Sequence, residues 1–184
     1  MKKYLIVIDM QNDFVTGVLG TEKAREISKK VVHKVDDYDG EVVFTLDTHN
    51  DNYLKTQEGR MLPVEHCIKS TDGWRLIPEL DELRIKYSYP VFEKPSFGST
   101  ALVHFLLDKY NAGELESAEL IGVCTDICVV SNALLIKAYM PELTVYVDAE
   151  CCAGVTPEKH NAALDVMESC QIILKNRGKD NDTI

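Results

Sequence analysis

Two cysteines, Cys124 and Cys128, stand four residues apart in the stretch IGVCTDICVVS, directly after a run of apolar residues. A cysteine thiolate is both a nucleophile and a metal ligand, so the pair suits covalent catalysis, thiol redox chemistry or metal binding. Buried cysteines are also ordinary small core residues. No second pair of cysteines or histidines at metal-ligand spacing lies close by in the sequence, which disfavours a structural zinc site.

Further reactive side chains stand at the ends of strand-like runs. Asp9 ends YLIVID, Lys94 ends YPVFEK, and the CTDIC segment follows AELIGV. Ligands of open parallel sheets bind beyond the carboxyl ends of the strands, so these residues would meet in one crevice. There Asp9 could take the thiol proton of Cys128, Lys94 could hold Asp9 ionised, and a helix beginning near Thr125 or Asp126 could favour the thiolate. Singly, each residue has a structural explanation as a turn cap, a solvated charge or a core residue.

The elements that must position these residues alternate along the chain. Near-continuous apolar runs suit strands buried on both faces of a parallel sheet, at 4–9, 41–47, 89–94, 118–123, 143–148 and 171–174. Amphipathic patterns predict helices at 21–36, 99–111, 126–140 and 156–169. Thr156 and Pro157 suit the N-cap and first position of the last helix. The alternation predicts a doubly wound α/β domain at 1–175 and a frayed tail at 176–184.

Composition narrows the class of partner. A chain of 184 residues with 45% hydrophobic residues is enough for one domain. Its net charge of -10 disfavours nucleic acid and anionic membranes as partners, and the first strand lacks the glycine-rich loop that follows it in nucleotide-binding domains. Without a signal peptide or a membrane-spanning run of apolar residues, the six cysteines indicate reduced thiols. We therefore expect a cytoplasmic protein that binds a small molecule.

Three segments together resemble a known family. VIDMQNDF with Asp9, FEKPSFGST with Lys94 and GVCTDICV with Cys128 are similar, in order and spacing, to the signature segments of the isochorismatase-like cysteine hydrolase superfamily, which includes nicotinamidases and N-carbamoylsarcosine amidases. The resemblance implies a Rossmann-like three-layer αβα fold with a parallel six-stranded sheet, and a catalytic triad of Asp9, Lys94 and Cys128. It also implies a cis peptide between Val123 and Cys124, with the N–H groups of Cys124 and Cys128 forming an oxyanion hole.

A metal site is predicted in the long connection from residue 48 to residue 73. Asp47 and His49 form a D-x-H pair at a strand end, and His66 follows; two imidazoles and a carboxylate suit Zn²⁺, Mn²⁺ or Fe²⁺. Two histidines on a polar loop can equally be unligated surface residues. The resemblance to nicotinamidases implies one divalent transition metal on these residues, with Glu58 matching a fourth ligand of some members.

The substrate is less constrained than the chemistry. The resemblance places Phe14 in the substrate pocket, but Leu62 stands where many nicotinamidases have an aromatic residue, and Tyr53 or Trp74 could supply that ring instead. We expect a homo-oligomeric cysteine amidohydrolase that cleaves a small amide through a thioester, with nicotinamide as the first candidate.

Two alternatives remain open. One is a metal-independent carbamoyl or ureido amidase. The other is a thiol redox or metal sensor, suggested by the six cysteines and the adjacent pair Cys151 and Cys152, which follow a strand-like run. A sensor needs an exposed thiol with a resolving partner.

Overall fold

A parallel sheet of six strands forms the middle layer of the protein. The computed structural model describes residues 1–178, and its strand order is β3-β2-β1-β4-β5-β6. All five neighbouring pairs are parallel. The strands are β1 (Lys2–Ile8), β2 (Glu41–Asp47), β3 (Val91–Lys94), β4 (Leu115–Val123), β5 (Thr144–Ala153) and β6 (Ile173–Lys175).

Helices cover both faces of this sheet. Within residues 1–178 they are α1 (Asn12–Val15), α2 (Glu22–Asp36), α3 (Gln57–Met61), α4 (Pro78–Tyr87), α5 (Thr100–Asn111), α6 (Val130–Tyr139) and α7 (Pro157–Ser169). A 3₁₀ turn (Tyr53–Lys55) precedes α3, and a π-helical turn (Thr125–Val129) precedes α6. One buried apolar cluster packs α2 and α4 on the sheet, and a second packs α5, α6 and α7 on the opposite face. None of these helices is both long enough and apolar enough to cross a membrane.

The three-layer α/β prediction is confirmed, and the local signals at helix starts are also correct. Thr21 caps α2 by accepting a hydrogen bond from Ala24 N, and Thr156 caps α7 in the same way from Lys159 N. Pro157 is the first helical residue of α7, where its missing N–H costs nothing.

Other boundaries differ from the sequence prediction. β4 begins three residues before 118, because the polar residues at 116 and 117 interrupt the apolar pattern without ending the strand. β5 continues five residues past 148 and includes the adjacent cysteines Cys151 and Cys152. α4 was not predicted; its apolar residues do not share one face, since Leu80 is buried while Ile85 and Tyr87 are exposed. The long connection after β2 is not irregular throughout, but contains the 3₁₀ turn and α3, both too short to show a helical period.

The first two residues of the predicted tail, Asn176 and Arg177, form hydrogen bonds to the domain. Asn176 Nδ2 donates to Asp148 Oδ2 at 3.0 Å, and Arg177 Nη1 donates to Glu168 Oε2 at 3.2 Å. These bonds join residues 176 and 177 to β5 and α7. The remainder of the predicted tail, residues 179–184, lies outside the described residues.

The strand order reverses between β1 and β4, which is where open α/β sheets bind ligands. At this point the two strands approach closely: a Cβ on Gly122 would lie 2.1 Å from Ile8 O, and Gly122 has φ +114°. Asp9, the next residue of the neighbouring chain segment, has φ +48°, a left-handed conformation that Asp adopts more readily than most residues. A glycine at 122 therefore lets β4 deliver the following turn next to Asp9.

We predict that Gly122→Ala destabilises the protein by about 3 kcal/mol or more, because the new methyl group meets backbone atoms in a conformation that alanine avoids. Gly113→Ala is the matched control, since Gly113 also has positive φ but no atom within 4 Å of the point that a Cβ would occupy; it should cost only about 1–2 kcal/mol. Urea unfolding measures both free energies. Equal losses would mean that the contact with Ile8 is unimportant.

Candidate active site

Three side chains from different strand ends meet at the reversal point. Asp9 follows β1, Lys94 is the last residue of β3, and Cys128 lies in the turn after β4. Lys94 Nζ is 2.7 Å from Asp9 Oδ2 and 3.4 Å from Cys128 Sγ. All three are buried, with exposed fractions of 0%, 1% and 5% for Asp9, Lys94 and Cys128. The structure thus brings together the proposed base, cation and nucleophile.

The Asp9 carboxylate contacts Thr45 through one oxygen and Lys94 through the other. The Thr45 hydroxyl donates to Asp9 Oδ1 at 2.6 Å and accepts from Asp9 N at 3.2 Å. Asp9 Oδ2 faces Lys94, yet within residues 1–178 it is the one buried side-chain oxygen or nitrogen without a well-directed hydrogen bond. That oxygen has acceptor capacity to spare for a proton.

The environment of Cys128 opposes the thiolate more strongly than the helix start was expected to favour it. Burial and the negative charge of Asp9 raise the pKa of the thiol well above its ordinary value, and Lys94 only partly opposes them. Burial can shift a pKa by several units, whereas a helix start contributes about 2 kcal/mol at most. This environment favours the neutral thiol, so attack by Cys128 requires a base. Burial also raises the pKa of Asp9, while Lys94 lowers it.

The turn that carries Cys128 has the backbone feature implied by the resemblance. The peptide bond between Val123 and Cys124 is cis. The carbonyl oxygen of Cys124 accepts hydrogen bonds from Ile127 N and Val129 N, each at 3.1 Å. Cys124 thus forms part of the turn through its backbone.

The predicted metal ligands form one cluster. One oxygen or nitrogen from each of Asp47, His49, Glu58 and His66 lies within 4.8 Å of the others. His49 Nε2 is 3.0 Å from Asp47 Oδ2 and 3.6 Å from Glu58 Oε1; His66 Nε2 is 3.5 and 3.9 Å from the same two oxygens. Ligand atoms around a tetrahedral ion with bonds of 2.0–2.2 Å lie about 3.3–3.6 Å apart. The donor set and its spacing therefore fit a small divalent cation.

The surroundings of the cluster orient its donors. His66 Nδ1 lies 2.8 Å from Val64 O, and because a carbonyl only accepts, the ring proton sits on Nδ1 and the Nε2 lone pair faces the cluster. Burial would raise the pKa of Asp47, but its contacts with His49 and His66, together with the charge of Lys94, hold it well below its usual range. Lys94 Nζ is 3.2 Å from Asp47 Oδ1, so the lysine joins the metal cluster to Asp9 and Cys128.

Two residues that position this cluster were missed by sequence reasoning. Gln11 is fully buried; its Oε1 accepts from Asp47 N at 2.8 Å, and its Nε2 donates to Asp47 O at 2.9 Å and Trp74 O at 2.7 Å. Asp13 Oδ2 accepts from Cys67 N, next to His66, at 2.8 Å. Both belong to the segment VIDMQNDF, but their partners are distant in sequence and could not be read from it.

A cavity of about 110 Å³ adjoins Cys128 and the metal cluster. This is well below the roughly 300 Å³ or more of sites for drug-sized ligands, so it suits a small molecule. Its walls also include the carboxylates Asp47 and Glu58. Its apolar lining residues are Phe14, Leu19, Leu62, Phe97, Ile127 and Val155.

The second aromatic ring beside the cavity is Phe97, which the sequence analysis did not select. Tyr53 and Trp74 do not line it. Tyr53 is fully buried and its hydroxyl donates to Leu62 O at 2.9 Å, while the Trp74 indole N–H donates to Thr48 Oγ1 at 2.8 Å. The motif FEKPSFGST contained Phe97 but gave no sign that its ring would reach the pocket.

The adjacent cysteines Cys151 and Cys152 lack the properties of redox-sensing thiols. Cys151 and Cys152 are buried in β5, and burial raises the pKa of both thiols, to about 12 for Cys151. A redox-sensing cysteine needs an accessible thiol of low pKa. The sensor alternative therefore loses its main support.

Comparison with known proteins now decides the family. Residues 3–176 match the family model described as the isochorismatase domain. The chain belongs to the isochorismatase family. This family member is 32% identical over 174 residues to an uncharacterized isochorismatase family protein, PncA, of Bacillus subtilis, covering 89% of this chain and 93% of the relative. It is 29% identical to the nicotinamidase/pyrazinamidase of Mycobacterium tuberculosis, over 92% of this chain and 96% of the relative.

Solved structures agree with this isochorismatase-family assignment. The crystal structure of nicotinamidase PncA from Bacillus subtilis matches with a TM-score of 0.80 and 29% identity, covering 95% of this chain and 99% of that one. The pyrazinamidase of Pyrococcus horikoshii, solved in complex with zinc, matches with a TM-score of 0.74, 23% identity and coverage of 95% and 98%. At that identity the second likeness supports the fold alone.

We predict that Asp9→Asn changes thiol reactivity and amide hydrolysis in opposite directions. Without the charge of Asp9, the nearby Lys94 stabilises the thiolate, so the pKa of Cys128 falls and alkylation by iodoacetamide at pH 7 speeds up by about tenfold or more. Hydrolysis should fall about 10²- to 10⁴-fold, because the proton acceptor is lost. Mass spectrometry of Cys128 and ammonia release measure the two rates.

Asp126→Asn is the control for that experiment. Asp126 lies two residues from Cys128, and its Oδ1 accepts from Val155 N at 2.9 Å. The alkylation rate of Cys128 in this variant should stay within about twofold of wild type, because the substitution removes one charge from the same turn but leaves Asp9 and its contact with Lys94 unchanged. Slower alkylation of the Asp9 variant would show that Asp9 does not raise the pKa of the thiol.

Proposed function

We propose that this isochorismatase-family chain is a cysteine amidohydrolase that converts a small amide, nicotinamide first among candidates, into the acid and ammonia. The observation that carries the proposal is the buried contact of Lys94 with both Asp9 and Cys128, at the wall of a small cavity. A thiol, a carboxylate and a cation in this arrangement suit nucleophilic acyl transfer. The relatives described as nicotinamidases support the same chemistry.

In the first half of the reaction, Cys128 Sγ attacks the carbonyl carbon of the amide while Asp9 Oδ2 takes the thiol proton. The carbonyl oxygen becomes an oxyanion, and we assign its stabilisation to the N–H groups of Cys124 and Cys128. Asp9 then returns the proton to the nitrogen, the C–N bond breaks, and ammonia leaves. A thioester on Cys128 remains.

In the second half, water attacks the thioester carbonyl and gives up a proton to Asp9. The C–S bond breaks, the acid is released, and the proton returns to Cys128. Lys94 remains an ammonium throughout: burial alone would lower its pKa, but the charges of Asp9 and Asp47 raise it far above the usual range. Its charge keeps Asp9 ionised before each proton transfer.

We assign Asp47, His49, His66 and Glu58 to one divalent transition metal, Zn²⁺, Mn²⁺ or Fe²⁺. The donor set and spacing support this, since nitrogen and carboxylate donors suit these ions. When bound, such an ion supplies a Lewis acid to a ring nitrogen or a water molecule. The chain's own contribution is to keep both imidazole Nε2 atoms and the two carboxylates pointed at one place.

The cavity favours a flat, mostly apolar amide as substrate. Phe14 and Phe97 can contact the faces or edges of an aromatic ring, and Glu58 and His66 provide a polar end. Nicotinamide and pyrazinamide have this character, and hydrolysis of the former would place the enzyme in NAD salvage. A metal-independent carbamoyl amidase is the second candidate; it would leave four buried or half-buried donors without a role.

We predict that Cys128→Ala abolishes ammonia release, while Cys124→Ala keeps most of it, since only the sulfur at 128 forms a bond with substrate. The assay compares nicotinamide, pyrazinamide, N-carbamoylsarcosine and biuret. Mass spectrometry of quenched wild-type protein should find the acyl group on Cys128. Comparable losses in the two variants would remove the assignment of Cys128 as the nucleophile.

We also predict that purified protein carries about one transition metal per chain and that His49→Ala loses it. His104→Ala is the control, because His104 lies exposed on α5 and away from the cluster. Elemental analysis after dialysis measures the content, and chelation should stop nicotinamide turnover. Full turnover by verified metal-free protein would favour the carbamoyl amidase alternative.

A further inference from the structure

Asn132 is a fully buried residue of α6 that bonds to two separate segments of the candidate site. Its Nδ2 donates to Cys128 O at 2.8 Å and to Phe97 O at 3.1 Å, and its Oδ1 accepts from Ser99 N at 2.9 Å. An amide side chain has two donor hydrogens and one acceptor oxygen, so both of its polar groups are engaged.

The two segments joined by Asn132 carry different parts of the site. The Phe97 loop, residues 95–99, follows Lys94 and places the Phe97 ring at the cavity. The Cys128 turn, Thr125–Val129, carries the nucleophile. Residues 95–97 of the loop are exposed, so few surrounding atoms restrain them. Lys94 Nζ, which donates to Ser96 O at 3.1 Å, is a further tie between this loop and the reacting groups.

Local preference does not explain an asparagine at this position. Asparagine is a weak helix former, and fully buried asparagine is uncommon. The neighbours Val129, Ala133 and Ile136 belong to the apolar core, so an aliphatic residue would suit the helix and its packing. What the aliphatic residue could not supply is the set of bonds across the site.

We propose that Asn132 is a positioning residue: it fixes the Phe97 loop against the Cys128 turn, so that one wall of the cavity and the nucleophile keep a constant separation. Cys128 O and Ser99 N both belong to buried residues, and removal of the Asn132 amide would break the hydrogen bonds of both groups to it at once. In a protein without this amide, the substrate would bind in a pocket whose Phe97 wall is no longer fixed relative to the Cys128 sulfur. The effect on amide hydrolysis rests on the proposed function, whereas the effect on the loop does not.

The test compares Asn132→Leu, which keeps the size but no hydrogen bonds, with Asn132→Asp, which keeps only an acceptor for Ser99 N. Ser131→Ala is the matched control: Ser131 is the adjacent residue, and its hydroxyl donates to Ile127 O at 2.6 Å, within the turn rather than across to the loop. Hydrogen exchange of the Ser99 amide, measured by NMR, reports on the loop. The Leu120 amide in the middle of β4 serves as the reference for global unfolding.

In Asn132→Leu, we expect Ser99 to exchange about tenfold faster or more relative to Leu120, and KM for the amide substrate to rise about tenfold. Asn132→Asp should retain protection of Ser99 but show the raised KM, because a carboxylate oxygen replaces the donor facing Phe97 O and Cys128 O. Ser131→Ala should change neither by more than about twofold.

The proposal is overturned if Ser99 and Leu120 lose protection equally in Asn132→Leu, because that indicates only a less stable domain. It is also overturned if Ser131→Ala loosens Ser99 to the same extent. If wild-type protein hydrolyses no amide, the proposed function fails on its own; the Ser99 measurement and the rate of Cys128 alkylation still decide whether Asn132 joins the two segments.

Discussion

The buried ammonium of Lys94 is the interaction on which the rest of the site depends. A charge with 1% exposure is tolerated only when opposite charges and acceptors surround it, since the loss of hydration costs several kcal/mol. Asp9 and Asp47 supply the opposite charges, and Ser96 O and Cys128 Sγ complete the shell. Each partner comes from a different segment, so satisfying one cation requires β1, β2, β3 and the turn after β4 to end at the same place.

The same charges favour the binding of a cation beside Asp9, Lys94 and Cys128. Asp9, Asp47 and Glu58 contribute three negative charges and Lys94 one positive charge, which leaves two negative charges in a largely buried site when both histidines and Cys128 are neutral. Burial and the neighbouring Asp47 raise the pKa of Glu58, as expected for carboxylates without sufficient countercharge. A divalent ion at the four donors would balance this charge. An ion bound there would be electrostatically linked to Asp9, Lys94 and Cys128 through Asp47, which contacts Lys94 on one side and the histidines on the other.

The sequence predicted those parts of the site that follow from strand ends and motif spacing. Asp9, Asp47 and Lys94 are polar residues at the carboxyl ends of apolar runs, and parallel strands bring such residues to one edge. Phe97, Asn132 and the partners of Gln11 could not be predicted in this way, because their contacts join segments 30 or more residues apart and depend on side-chain direction. The protonation state of Cys128 was also inaccessible: the sequence shows the helix start that favours a thiolate, but not the burial that outweighs it.

The division between sheet and loops suggests how chemistry and selectivity are kept apart. Asp9, Asp47 and Lys94 are positioned by β1, β2 and β3. A one-residue slip in the pairing of these strands would move their side chains to the opposite face of the sheet. The cavity walls at Phe14, Leu62 and Phe97 instead come from α1 and from connecting segments, where substitutions do not disturb strand pairing. Under the proposed function, these wall residues would contact the substrate without taking part in strand pairing. The buried amide of Asn132 ties the loop that carries Phe97 to the turn that carries Cys128.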